Sequence, residues 1–264
     1  MDQGTSEWLE WRRQGVGGSD VPCLMGELEY STPYKLWLEK TGQKKSDDWG
    51  SRNIFAKGHE NEAKIRAAYE FDQGFSFPPA QFENPDKPFV RASLDGWSEE
   101  HWKGCEIKFV GKEEFEAGTV KQSHWIQMQY QMLVTAAEIW DYVISADQVS
   151  HKVVEIKADK DFQIRMLNKV CEFWALVESK TPPAFTDMDF VPVVNEELTA
   201  LLDCIKEAKD SKKKEDKDQV AHWREQVFAL VQHVRTDCGG VKITKTESRK
   251  VIKFEKEQDE AKTV

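Results

Sequence analysis

The chain has 264 residues, a hydrophobic fraction of 39% and ten tryptophans, which provides for a sizeable core and excludes an intrinsically disordered chain. It holds no run of 18 apolar residues and its opening MDQGTSEWLEWRRQG has no apolar signal segment, so no membrane span or membrane partner is expected, and a cytoplasmic location is. The net charge of −10 means that a nucleic-acid partner would need its basic residues concentrated in one groove within an acidic total. Five cysteines, at 23, 105, 171, 204 and 238, are scattered, odd in number and free of any CxxC pair. That spacing argues against a disulfide framework, a zinc site or an iron–sulfur cluster.

In chain order, Arg12 and Arg13 precede a glycine-rich turn and then Ser19-Asp20, an expected N-cap for a short helix. Thr32 and Pro33 open a second helix through YKLWLEKT, which Gly42 ends. Residues 43–53 read as a polar loop, 58–71 as a helix, and FSFPPAQFENPDKP as an irregular connection. FVRASLDG and GCEIKFV alternate like two strands joined by a polar hairpin loop. After Gly118 come a helix through QSHWIQMQYQMLVTAA, two strands (IWDYVISAD and HKVVEIKAD) and an amphipathic helix from Lys160 to Ser179. Helical stretches at 195–208 and 219–235 flank the charged tip KDSKKKEDKD, with Val220, Trp223, Val227, Leu230, Val231 and Val234 forming a helical stripe. VKITKTESRKVIKFE predicts a closing β-hairpin, followed by a frayed end.

The chemistry concentrates in residues 91–110. Two positions apart on a strand, Glu106 and Lys108 share a face while Ile107 enters the opposite layer. If the hairpin sets Asp95 beside Glu106, two carboxylates converge, and burying them requires a positive partner. A hard divalent cation meets that need. Lys108 would stand beside it, able to orient or help deprotonate a water attacking a phosphodiester. A lone Asp-Gly is more often only a turn; here an E-x-K follows it.

The D-x10-E-x-K spacing, preceded by a helix bearing G-x-E-x-E, resembles the PD-(D/E)XK nuclease superfamily, and within it the lambda exonuclease or YqaJ-like viral recombinase family. WRRQGVGGSD, STPYKLWLEKTG, GHENEA, SLDG, CEIK, QMQYQM and FWALVESKTPP occur in that family's order across residues 8–183. The resemblance implies an α/β (α+β) restriction-endonuclease-like core over 1–183, with a mixed central sheet flanked by helices. Residues 184–264 would add a helical hairpin and a β-hairpin packed on it.

The resemblance also assigns roles. Asp95, Glu106 and the Ile107 carbonyl become metal ligands for Mg²⁺ or Mn²⁺, Lys108 the catalytic lysine, and Glu62 the helix glutamate that completes the site, with Glu60 its rival. Gln127 becomes the glutamine of the following helix, with Tyr130 beside it. Arg12 or Arg13, together with Ser19, would hold a 5′-phosphate, although the arginine-to-serine spacing departs from the family by one residue. The superfamily's proline is replaced by Leu94.

The implied activity is 5′→3′ exonuclease action on double-stranded DNA ends. It would release mononucleotides and leave 3′ tails for a single-strand annealing protein in phage-type recombination. The implied setting is the cytoplasm of a bacterial host, and the implied assembly a homotrimer. A structure-specific or restriction-type endonuclease on the same core is the alternative, with a catalytically dead DNA-binding scaffold behind it. The tryptophans read as core residues, and His59, His101 and His124, lacking metal spacing, as structural or surface residues.

Overall fold

Capping side chains set the first turns of the fold. In a computed structural model that describes residues 3–28, 30–43, 52–208 and 214–254, the Thr5 hydroxyl accepts the Trp8 N–H to open α1 (Ser6–Arg13). α2 (Val21–Leu24) follows Asp20, whose side chain makes no capping bond. That corrects the expected N-cap, because the carboxylate is committed elsewhere. Thr32 does cap α3 (Pro33–Lys40), accepting from the Lys35 N–H. α4 (Arg52–Gln73) is longer than the sequence suggested. Residues 44–51 of the expected polar loop lie outside the described residues, whereas Arg52 and Asn53 are already helical.

The chain divides into two units, Met1–Ala184 and Phe185–Val264. In the first, β1 (Ala80–Glu83) pairs antiparallel with β2 (Arg91–Leu94), so part of the expected irregular connection is a strand between proline breaks. The expected hairpin forms only beyond a break at Asp95. The chain shifts at Asp95 into a second sheet, whose order is β3 (Gly96–Ser98), β4 (Lys103–Phe109), β5 (Ile139–Ser145), β6 (Lys152–Lys157). The pairing is antiparallel, parallel, antiparallel, which makes the sheet mixed. Between β4 and β5 run α5 (Lys112–Ala117), which Gly118 ends in a left-handed conformation (φ 62°), and α6 (Gln122–Thr135). α7 (Lys160–Glu178) starts where Asp159 accepts the Phe162 N–H.

α6 is buried on nearly every side. Ile126 and Tyr130 join a cluster with α2, α3 and α7, while Met128 and Met132 join another with Trp140, Tyr142 and Ile144 of β5. A helix buried this way must find partners for its polar side chains. Gln129 does so by donating to the Lys157 carbonyl and accepting from the Asp159 N–H. α4 covers the other side of the sheet, where Ile65 and Tyr69 pack with Cys105, Ile107 and Val143.

The second unit holds β7 (Val191–Pro192), α8 (Glu196–Ala208), α9 (Lys214–Leu230), β8 (Arg235–Cys238), β9 (Val241–Lys245) and β10 (Lys250–Lys253), its sheet ordered β10-β9-β8-β7. α8 and α9 bury Leu198, Leu202, Ile205, Val227 and Phe228 together. α9 ends at Leu230, short of the expected 235, and Val234 is 41% exposed outside the stripe. The reason is that residues 235–238 alternate with period two and bury Thr236 and Cys238 as a central strand. The expected closing hairpin is β9–β10, extended by β8 and β7. The lysines at 212 and 213 and the terminal residues 255–264 lie outside the described residues.

Candidate functional site

The break between β2 and β3 places Asp95 against β4. Gly96 pairs with Cys105, and one step further the ladder is closed by a side chain, the Ile107 N–H donating to Asp95 Oδ2 at 2.9 Å. Gly96 is required here, because a Cβ would press on Cys105 Sγ and Phe77. From α4, Arg66 donates to the Asp95 carbonyl at 3.0 Å. Asp95 is thus held through its backbone by one helix and through its carboxylate by the neighbouring strand.

Glu106 is fully buried. Leaving a carboxylate there unpaired would be prohibitive, and three donors meet it. Lys108 forms an ion pair with Oε1. Gln127 donates to Oε1 at 2.7 Å and Gln131 to Oε2 at 2.7 Å. Both glutamines come from α6, four residues apart on one helical face. Glu106 faces α6 as strand alternation requires, with Ile107 on the α4 side.

Charge at this site is unbalanced. Burial, together with the nearby Glu106 and Glu62 carboxylates, pushes the Asp95 carboxyl well above the usual carboxylate range, against the opposing pull of Lys108 and the Ile107 N–H. Burial alone would lower Lys108, but Glu106 and Asp95 overcome it and hold the ammonium charged. Glu62 acts on both Asp95 and Lys108. Glu60 instead faces solvent and pairs with Lys64 at 2.7 Å. Glu62, and not Glu60, is therefore the glutamate whose charge is felt at Asp95 and Lys108.

No three His, Cys, Asp or Glu side chains among the described residues stand as a ready metal cage, and the oxygens of Glu106 are taken by Lys108 and the two amides. The donor set nevertheless suits a hard cation. Asp95 and Glu106 stand together beside one ammonium, and the Asp95 carboxyl is raised first by burial and then by Glu106, with Glu62 adding to it.

A second charged cluster stands at the N-terminal loop. Arg12 donates to Ser19 Oγ at 2.7 Å and to Asp20 Oδ1 at 2.8 Å. Lys40, whose side chain is 0% exposed, donates to Asp20 Oδ2 at 2.7 Å and to the Arg12 carbonyl at 3.0 Å. The Gly17 N–H also reaches Asp20. Burial raises the Asp20 pKa, but Lys40 and Arg12 outweigh it and hold the carboxyl far below its usual range. Two cations thus converge on Asp20 beside a serine hydroxyl, with Glu39 acting on both cations. Arg13 is turned away, paired with Glu10 on the surface.

Of the residues that sequence singled out, Asp95, Glu106, Lys108, Glu62 and Gln127 come together, as do Arg12 and Ser19. Tyr130 does not join the carboxylates; it is fully buried and donates its hydroxyl to the Val16 carbonyl at 2.9 Å. Sequence reasoning missed Gln131, Asp20 and Lys40. The four-residue step from Gln127 could have revealed the first; no local signal joins Lys40 to Asp20. His124 hydrogen-bonds the Tyr142 hydroxyl at 2.7 Å, and His101 stacks on Phe75.

The chain matches the YqaJ-like viral recombinase domain over residues 7–138. It is 26% identical over 180 residues to the uncharacterized protein YqaJ of Bacillus subtilis (strain 168), a match covering 66% of this chain and 56% of that protein, so the chain spans little more than half of that relative's length. Among solved structures, an alkaline exonuclease (LHK-Exo) from Laribacter hongkongensis is similar, with a TM-score of 0.56 and 23% identity over 67% of this chain and 94% of that one. The same enzyme in complex with dAMP gives a TM-score of 0.55 with 23% identity over the same shares. The likeness establishes the fold, a mixed α/β core shared with that exonuclease.

Proposed function

This chain belongs to the YqaJ-like viral recombinase family, and from that premise we propose that it is a metal-dependent deoxyribonuclease that digests double-stranded DNA from its ends in the 5′→3′ direction. It releases mononucleotides and leaves 3′ single-stranded tails for a single-strand annealing protein. The observation that carries this reading is the presence, in one unit, of Asp95, Glu106 and Lys108 gathered at β4 and of Arg12 beside the Ser19 hydroxyl at the N-terminal loop. Hydrolysis of a phosphodiester at a DNA end needs both: a place for a cation beside the scissile group and a place for the terminal phosphate. The similar fold of LHK-Exo is known with dAMP, a nucleoside monophosphate of the product class proposed here.

A Mg²⁺ or Mn²⁺ ion held by Asp95, Glu106, Glu62 and the Ile107 carbonyl would supply charge neutralisation and an acidified water. Lys108, kept charged by Glu106 and Asp95, orients the attacking water and stabilises charge building on the phosphoryl oxygens. This favours an electrostatic role over proton abstraction. Gln127 keeps Glu106 in place. Arg12 and Ser19 hold the 5′-phosphate, the guanidinium giving charge-assisted bonds that a hydroxyl end could not match. The family resemblance further supports a homotrimer working in the bacterial host cytoplasm.

The test is digestion with Mg²⁺ or Mn²⁺ of linear duplexes carrying a 5′-phosphate or a 5′-hydroxyl, alongside closed circles. Mononucleotides released from 5′-phosphorylated ends are expected. Nicking of closed circles would instead identify an endonuclease, and no cleavage of any substrate with either metal would overturn the nuclease reading.

A further inference from the structure

The loop that carries Ser19 and Asp20 rests on the two glutamines that hold Glu106. A Cβ added at Gly18 would lie 3.3 Å from Gln127 Cγ and 3.4 Å from Gln131 Cγ, so the loop backbone lies against both side chains and even an alanine would press on Gln127. The same helix grips the loop a second time, through the Tyr130 hydroxyl on the Val16 carbonyl. α6 therefore has one set of side chains on Glu106 and another on the arginine loop.

Gln131 is the strongest link in this arrangement. It is fully buried, and its amide nitrogen is committed to Glu106 Oε2. The amide cannot turn over, because Oε1 would then face a carboxylate. In the orientation that results, Oε1 is buried with no hydrogen-bond partner among the described residues. Such an orphaned acceptor is a cost to folding. A side chain kept solely for packing would have no need of it; a methionine fills similar space without a polar atom.

We propose that Gln131 is a positioning residue: with Gln127 it fixes both oxygens of Glu106, and Gly18 packing against the pair makes Glu106 geometry depend on the loop that carries Ser19 and Asp20. A terminal phosphate seated on that loop then acts on turnover and not on DNA affinity alone. This rests on the nuclease reading above and adds to it a physical link between end recognition and the carboxylates. Positioning errors well under an ångström at a carboxylate of this kind are costly to rate.

Two variants test the proposal. Gln131→Met should lower kcat on 5′-phosphorylated duplex about tenfold or more, while KM for DNA stays within about twofold. It should also shrink the rise in melting temperature produced by Ca²⁺, a readout that needs no cleavage and so separates failure of this inference from failure of the nuclease reading. Gly18→Ala should move the ratio of kcat on 5′-phosphate to kcat on 5′-hydroxyl ends towards one. A Gln131→Met protein with unchanged kcat and an unchanged Ca²⁺ shift would overturn the positioning role. An unchanged end ratio in Gly18→Ala would overturn the link, and that variant decides the matter alone if Gln131→Met does not fold.

Discussion

The carboxylate cluster and the arginine loop differ in how far their charges are matched. At β4, Asp95 and Glu106, with Glu62 acting on the site, face Lys108, and the Asp95 carboxyl is raised; at the loop, Arg12 and Lys40 face Asp20, with Glu39 acting on both cations, and Asp20 is held in its charged form. The carboxylate excess at β4 selects a cation, whereas the loop holds its cations beside the Ser19 hydroxyl. A net charge of −10 is compatible with the proposed DNA substrate if local placement of Arg12 and Lys40, and not the total, decides what the loop attracts.

The largest effect expected is at the acidic side. Asp95→Ala should abolish cleavage and Ca²⁺ binding together, because it removes a ligand and the repulsion that calls for a cation. Lys108→Ala should lower kcat by orders of magnitude yet keep Ca²⁺ binding, since an ammonium is no ligand. Calorimetry on both variants checks the contrast; equal loss of metal affinity would assign Lys108 a different role.

At the basic side the expected effect falls on stability. Lys40→Met leaves Asp20 buried with Arg12 and the Gly17 N–H as its remaining partners, and breaking a buried pair costs about 3 kcal/mol or more. Urea unfolding should show the midpoint falling at constant slope. A midpoint unchanged from the unaltered protein would mean that Asp20 does not need its second cation.

The smallest effect concerns pH. Burial, aided by Lys108 and Lys121, pushes the His124 pKa down to about 3. The folded protein thus holds this histidine neutral while the unfolded chain protonates it below about 6.5. Stability is therefore lost as pH falls from about 6.5 towards 3. His124→Gln should flatten the decline in melting temperature between pH 7 and 4, relative to the unaltered protein. Superimposable declines would show that His124 is not a source of the pH dependence.

What could be read in the sequence was whatever depends on near neighbours. Thr32 and Pro33 mark the start of α3, period-two alternation marks β5 and β6, and E-x-K puts Glu106 and Lys108 on one face. The exceptions arise where a side chain far along the chain takes over a backbone task. The expected hairpin with β4 forms through β3, while β2 pairs with β1 instead, because the Asp95 carboxylate occupies the ladder position opposite Ile107 and the chain changes sheets there. Asp20 was expected to cap α2, but Lys40, twenty positions on, takes its oxygen. Helical periodicity carried α9 to 235, whereas packing in the second unit's sheet claims Thr236 and Cys238. Gln131 was passed over because a buried glutamine looks like any polar helix position until its partner strand is in place.

The account stands most directly on which arginine the loop offers to an anion. Equilibrium binding of duplexes ending in a 5′-phosphate or a 5′-hydroxyl, with Ca²⁺ in place of Mg²⁺, should show the phosphate preferred by the unaltered protein and by Arg13→Gln, because Arg13 is paired with Glu10 at the surface. In Arg12→Gln the two ends should bind alike. A phosphate preference that survives in Arg12→Gln, or disappears in Arg13→Gln, would contradict the assignment of the anion site to Arg12, Ser19 and the Asp20–Lys40 pair.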